Sequence, residues 1–325
     1  MNTIRRFMSA TVTVLPSNER VPEPADERCL FAGGVDGRRR VELRREGKGG
    51  GAGPHARYSL ECQAARARHP GMITRLSKTA AAVARNQGHR FFGGAPRGGH
   101  RTVAWDAAAR AAHAAEIFAR LAPLVGAVSG RVGLEIGPGD TLGVCRLFRA
   151  AGAARVYAVE RFAHPTDVPD GVELLRDEVE HIALPPGSVH FAYSNDVFEH
   201  VRDVPGAFPS VAAALAPGGV FVNSVDLRGH TSYTDARRPL EHLCCPDWLY
   251  SLMHSHIVTS NRVRPCEFVA AARAAGFVVE VCRAEASADP AYLATVRRRA
   301  LRRWRGLPDF DLATTQLMLA CRKPA

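Results

Sequence analysis

Val132-Gly133-Leu134-Glu135-Ile136-Gly137-Pro138-Gly139-Asp140 is a short apolar run that ends in an acid, then in two glycines one residue apart. Helix-compatible sequence follows from Thr141 to Ala151, so the stretch reads as strand, tight turn, helix. Glycines let the backbone turn sharply and approach a ligand closely, because a Cβ there would stand in the way. The exposed N–H groups of the turn and of the helix start can hold polar ligand groups. Glu135 sharpens the signal, since a carboxylate at the end of that strand can receive an ammonium group.

Outward from this turn the chain alternates. Strands are expected at 132–136, 155–160, 172–176, 189–194, 218–225, 276–283 and 315–322, and helices at 141–151, 205–215, 264–275 and 290–304. Alternation of this kind predicts an α/β fold, a mainly parallel sheet with helices on both faces. Ligands then bind beyond the carboxyl ends of the strands. Ala and apolar residues recur at helical spacing over 104–125, which predicts a helix leading into the domain.

Three further segments stand in order behind the turn. Val156-Tyr157-Ala158-Val159-Glu160 is an apolar strand ending in an acid, 21 residues after Gly139. Such an acid can accept both hydroxyls of a ribose, in a nicotinamide dinucleotide as well as in other nucleosides. Val189-His190-Phe191-Ala192-Tyr193-Ser194-Asn195-Asp196-Val197-Phe198-Glu199-His200-Val201 is a strand and the loop after it. Leu215-Ala216-Pro217-Gly218-Gly219-Val220-Phe221-Val222 is a helix end, a turn and a strand.

Taken in this order over 131–225, the motifs resemble those of class I S-adenosylmethionine-dependent methyltransferases. The resemblance implies a Rossmann-like seven-stranded sheet of order 3-2-1-4-5-7-6 with the seventh strand antiparallel. It implies S-adenosylmethionine as cofactor, with the Gly137–Gly139 turn under its methionine part and Glu135 orienting its amino group. Glu160 then takes the ribose. Counting back from Pro186-Gly187-Ser188 puts Glu178 and Val179 at the adenine, with Asp177 one residue off as the other candidate. Ser194 and Asn195 fall beside the methionine part. Glu199 and His200 begin the next helix, where His200 is either a base or a residue that orders the loop. His230 is a second candidate base.

The implied reaction is methyl transfer to a small-molecule or glycan- or lipid-type acceptor by in-line displacement. A nicotinamide-dependent oxidoreductase is the rival reading. Leu142 stands against it where a Gly-x-Gly-x-x-Gly fingerprint has glycine, and so does Glu135 where that fingerprint is apolar. The segment 226–262, after the fifth strand, mixes His, Arg and aromatic residues and is expected to face the substrate.

Of the 325 residues, 1–100 hold 18 Lys and Arg against 8 Asp and Glu, while 101–325 hold 25 against 24. The basic character therefore belongs to an N-terminal arm (1–100) and not to the domain (101–325). Arg38-Arg39-Arg40, Gly49-Gly50-Gly51 and Gly93-Gly94-Ala95-Pro96 give the arm little sustained periodicity, and it is expected to be largely disordered. Its composition fits a solvated tail, or translated upstream sequence with Met72 as a later start. Aromatic residues suited to base stacking are sparse in it, so a nucleic-acid-binding arm is the less favoured reading. The run Arg297-Arg298-Arg299 with Arg302 and Arg303 reads as a solvated basic face.

Eight scattered cysteines without a Cys-x-x-Cys pair point to a reducing, cytoplasmic setting with buried thiols. His242, Cys244 and Cys245 lack a second ligand pair, so no metal is expected. No apolar run reaches the roughly 18 residues of a membrane span.

Overall fold

The computed structural model describes residues 72–92, 105–162, 165–230, 238–256 and 260–325. Strand β1 (Val132–Ile136) lies at the centre of a sheet because its side chains are buried on both faces. It pairs in parallel with β2 (Arg155–Val159) and with β4 (Val189–Asn195). Beyond them, β3 (Val172–Leu175) joins β2 and β5 (Leu215–Asp226) joins β4, both parallel. The last strand, β7 (Thr314–Arg322), runs antiparallel between β5 and β6 (Val278–Ser287). The order is β3-β2-β1-β4-β5-β7-β6, the one the resemblance implies.

Two helical layers cover the sheet. On one face α4 (Val204–Ala214) and α6 (Pro265–Ala274) place Phe208, Val211, Phe268 and Ala272 against Leu134, Ile136, Ala192 and Phe221. On the other, α2 (Ala107–Val125) and α3 (Gly143–Ala150) place Leu121, Val125, Cys145 and Phe148 against Val156, Phe191, Tyr193 and Val222. The helix starts are set by local chemistry. Asp106 accepts the Ala109 N–H at the start of α2, and Asp203 accepts the Gly206 N–H at α4, where Pro205 supplies a fixed φ.

The region expected to be one helix over 290–304 is two, α7 (Pro290–Arg299) and α8 (Arg302–Arg305). Nothing in the intervening Ala300-Leu301 forbids a helix. The Leu301 N–H goes instead to the Leu243 carbonyl, and the bend buries Ala300 and Trp304 against Leu240, Leu243 and Leu312 of the 3-10 turn Glu241–Cys244 and of α9 (Asp309–Ala313). Tertiary burial thus overrides helical continuity.

Residues 72–92, which the sequence reading assigns to the arm, form helix α1 (Met72–Phe92). It packs on α5 (Asp247–His254) through Ala82, Tyr250 and Met253. Asn86 is buried there, donating to the Leu252 carbonyl and to Ser255 Oγ and accepting the His256 N–H. The rest of the arm lies outside the described residues. No helix among the described residues is long and apolar enough to cross a membrane.

Candidate functional site

The carboxyl ends of β1, β2, β4 and β5 meet at one edge of the sheet, and the candidate residues stand there. Gly137 and Gly139 have φ of +70° and +71°, a conformation that L side chains rarely adopt. The Gly137 N–H donates to the Val159 carbonyl, which ties the turn to the end of β2. A Cβ on Gly137 would lie 2.4 Å from a γ-methyl of Val197, so the loop after β4 fills that space. A Cβ on Gly139 would meet nothing within 4 Å, so this is the side of the turn that is open to a ligand.

Glu160 is buried, and its two carboxylate oxygens accept the Gly139 N–H (3.0 Å) and the Phe162 N–H (2.7 Å). The acid at the end of β2 and the glycine turn are therefore one hydrogen-bonded unit. Glu178 pairs with Arg161 at 3.0 Å at the entrance to a short 3-10 turn, while Val179 is buried in the core. Asp177 accepts the Ala183 N–H and so holds that loop together.

Glu135 is buried on the α3 side of the sheet. One of its oxygens accepts Cys145 Sγ–H at 2.7 Å and the Tyr193 hydroxyl at 3.0 Å. Burial raises its pKa to about 7 against the lowering effect of these hydrogen bonds. Neither partner was picked out in the sequence, although Cys145 and Phe148 share one face of α3 and Tyr193 alternates inward with Phe191.

Ser194 is fully buried, and its hydroxyl has no hydrogen-bond partner among the described residues. Asn195 donates to Asp196 and accepts from Arg120 of α2. Arg120 also reaches Ser224 and Glu285, so α2 closes over the ends of β4 and β5. Beside it lies an open recess of about 290 Å³ lined by charged and polar groups, including Arg120, Arg228, Glu285 and Gln316.

Glu199 and His200 do not begin α4. They lie in the turn before it, because the Asp203 cap and Pro205 start the helix later. His200 and His230 come together from the loops after β4 and β5, with ring centroids 5.2 Å apart. The His230 Nε2 lies 3.0 Å from Asp226, which also accepts from Arg228. Burial pushes the Asp226 carboxyl up, but these hydrogen bonds outweigh it and hold the group well below the ordinary carboxylate range. Burial also drives the Glu199 carboxyl well above its ordinary value, and the Asp196 and Asp226 charges add to that shift. Asp196 itself has φ +53°, a left-handed residue where the chain leaves β4.

The described part of the segment 226–262 holds both exposed and buried aromatic residues. Trp248 is exposed, but Tyr250 is buried and donates to the Ser260 carbonyl, and Arg262 lies over its ring at 3.9 Å. Just past it, the fully buried Arg264 donates to the carbonyls of Leu227, Asp311, Leu312 and Thr314 and so ties the end of β5 to the start of β7. His242 is buried, and its carbonyl accepts the Cys245 N–H.

Comparison with known proteins adds a family. Residues 107–281 match the model of a family described as a methyltransferase domain. No curated protein matches the chain. Among solved structures, an S-adenosylmethionine-dependent methyltransferase from Mesorhizobium loti is 20% identical and aligns with a TM-score of 0.41, covering 63% of this chain and 96% of that one. The geranyl diphosphate C-methyltransferase from Streptomyces coelicolor A3(2), solved with Mg2+, geranyl diphosphate and S-adenosyl-L-homocysteine, is 13% identical with a TM-score of 0.44, covering 64% and 78%. The family match spans more than half of the chain, so the chain belongs to the methyltransferase-domain family and is an S-adenosylmethionine-dependent methyltransferase.

Proposed function

We propose that this methyltransferase acts on a small-molecule, glycan-type or lipid-type acceptor bound beyond the ends of β4 and β5. The observation that carries the reading is the joined unit of open glycine turn and Glu160 carboxylate, one sheet edge away from the His200–His230 pair. The unit fits the cofactor, because the Gly139 side of the turn is open and both Glu160 oxygens are already aimed by backbone donors. When bound, the cofactor supplies a methyl group made electrophilic by its sulfonium.

The residues divide the work. Glu160 takes the ribose hydroxyls, and Glu135 receives the amino group, which draws off the proton that burial favours on its carboxyl. Glu178 and Val179 flank the adenine, and Ser194 and Asn195 border the methionine part. With the cofactor held by these residues, the acceptor's lone pair would be aligned for in-line displacement at the sulfonium methyl, the sulfur being the leaving group. The acceptor's proton leaves toward His230, held by Asp226, or toward His200. The leaving sulfur is already charged, so alignment supplies much of the rate. The charged recess beside Arg120 and Arg228 suits a polar acceptor. We take residues 101–325 as the catalytic domain, with 226–262 on its acceptor side. The free cysteines among the described residues favour a reducing, cytoplasmic setting.

Calorimetry with S-adenosylhomocysteine and with NADH tests this directly. The wild-type chain should bind the former and ignore the latter. Glu160→Ala should lose about 2–3 kcal/mol of affinity, from two hydrogen bonds partly replaced by water. Equal affinity in Glu160→Ala would refute the ribose assignment. NADH binding without S-adenosylhomocysteine binding would refute the whole reading.

A further inference from the structure

Glu199 is 1% exposed, and neither of its carboxylate oxygens has a hydrogen-bond partner among the described residues. A buried carboxylate left in that condition costs several kcal/mol unless a cation or donor compensates it. Two imidazoles stand next to it. His200 Nε2 is 3.8 Å from a Glu199 oxygen, and Glu199, His200 and His230 each bring a ligand atom within 4.8 Å of the others. Both imidazoles are partly exposed, so the cluster opens to solvent on one side and is closed by the buried acid on the other.

We propose that Glu199, His200 and His230 form a site for one divalent transition-metal ion. Two imidazoles and one carboxylate suit zinc, iron(II), cobalt(II) or manganese(II). Ligand atoms about 2.0–2.2 Å from a common ion stand roughly 3–3.5 Å apart, so binding needs the cluster to close by about 1 Å. The Asp226 carboxylate accepts from the His230 Nε2, which leaves the lone pair of that ring on Nδ1. A carboxylate behind a metal-bound histidine is the usual means of fixing its tautomer and raising its basicity. Three protein ligands leave coordination positions open to an oxygen of a bound molecule. If the acceptor lies there, which rests on the function proposed above, the ion holds its oxygen and lowers the pKa of its hydroxyl; the two imidazoles then act as ligands in place of bases, and the proton passes to solvent on the open side of the cluster before methyl transfer.

The test uses the full chain stripped with EDTA and titrated calorimetrically with Zn2+ and with Mn2+, with Co2+ for its visible spectrum. One equivalent should bind, and Co2+ should give the absorption of a site with nitrogen ligands. Glu199→Gln, His200→Ala and His230→Ala should each lower the affinity at least tenfold. Zn2+ should raise the melting temperature of the wild type but not that of Glu199→Gln. Circular dichroism checks folding, and the partly exposed His200 gives a variant that should fold even if Glu199→Gln does not. Absence of stoichiometric binding, or unchanged affinity in the folded variants, overturns the site. S-Adenosylhomocysteine affinity is measured with and without metal. Cofactor binding without metal binding removes this inference alone, and metal binding without cofactor binding removes only the methyl-transfer geometry.

Discussion

Replacing Gly137 with alanine tests how the turn is built. The new Cβ would lie 2.4 and 2.8 Å from the two γ-methyls of Val197, at φ +70°. The left-handed backbone costs about 1–2 kcal/mol for a residue with a Cβ. Overpacking against Val197 adds about 1–3 kcal/mol, so Gly137→Ala should lose about 2–5 kcal/mol of stability in total. Val197→Ala removes both clashing methyls. The double variant should then recover the packing part and keep the backbone part, a coupling of about 1–3 kcal/mol. Gly139→Ala is the control, since it has φ +71° and no atom within 4 Å of its Cβ. It should lose only the backbone part and add to Val197→Ala within about 0.5 kcal/mol. Urea unfolding followed by circular dichroism measures the wild type and the five variants, the Gly139→Ala/Val197→Ala double included, with the midpoint read at constant slope. If Gly137→Ala is no worse than Gly139→Ala, or is simply additive with Val197→Ala, the assignment of Gly137 to a closed loop contact is refuted.

Two further outcomes follow from buried charges. Glu135 has its pKa raised by burial to about 7, so between pH 4.5 and 7 the folded state keeps a proton that the unfolded state loses. Stability should therefore fall as pH rises through that window, by on the order of 3 kcal/mol, and Glu135→Gln should abolish the slope and be the more stable protein at pH 8, as urea unfolding at pH 5 to 8 would show. Arg264→Met keeps much of the side-chain volume but leaves the carbonyls of Leu227, Asp311, Leu312 and Thr314 without their donor. It should lose at least about 3 kcal/mol, measured by the same unfolding assay, whereas a loss below 1 kcal/mol would mean that those carbonyls find other partners.

The order of the strands came from the resemblance to class I methyltransferases, while the sequence by itself determined the α/β class and the glycine turn with its acids at the strand ends. These are local properties. An apolar run of five or so residues, a glycine pair and a Pro-Gly-Gly turn carry their structure with them, and Glu135 and Glu160 are found by their distance from the turn. What each acid touches was decided only by tertiary structure. Cys145 and Tyr193 reach Glu135 from a helix and from the neighbouring strand, and Val197 fills the space of Gly137 from a loop 60 residues away. The break between α7 and α8 and the docking of α1 on α5 likewise depend on surfaces that exist only once the core has formed. Arg264 stands at the start of the helix expected over 264–275, yet its guanidinium is fully buried among carbonyls, because the start of β7 passes over it. Glu199, His200 and His230 show the same principle most plainly. They are separated by 30 residues with no ligand spacing, and only the parallel pairing of β4 with β5 brings their two loops to one edge of the sheet.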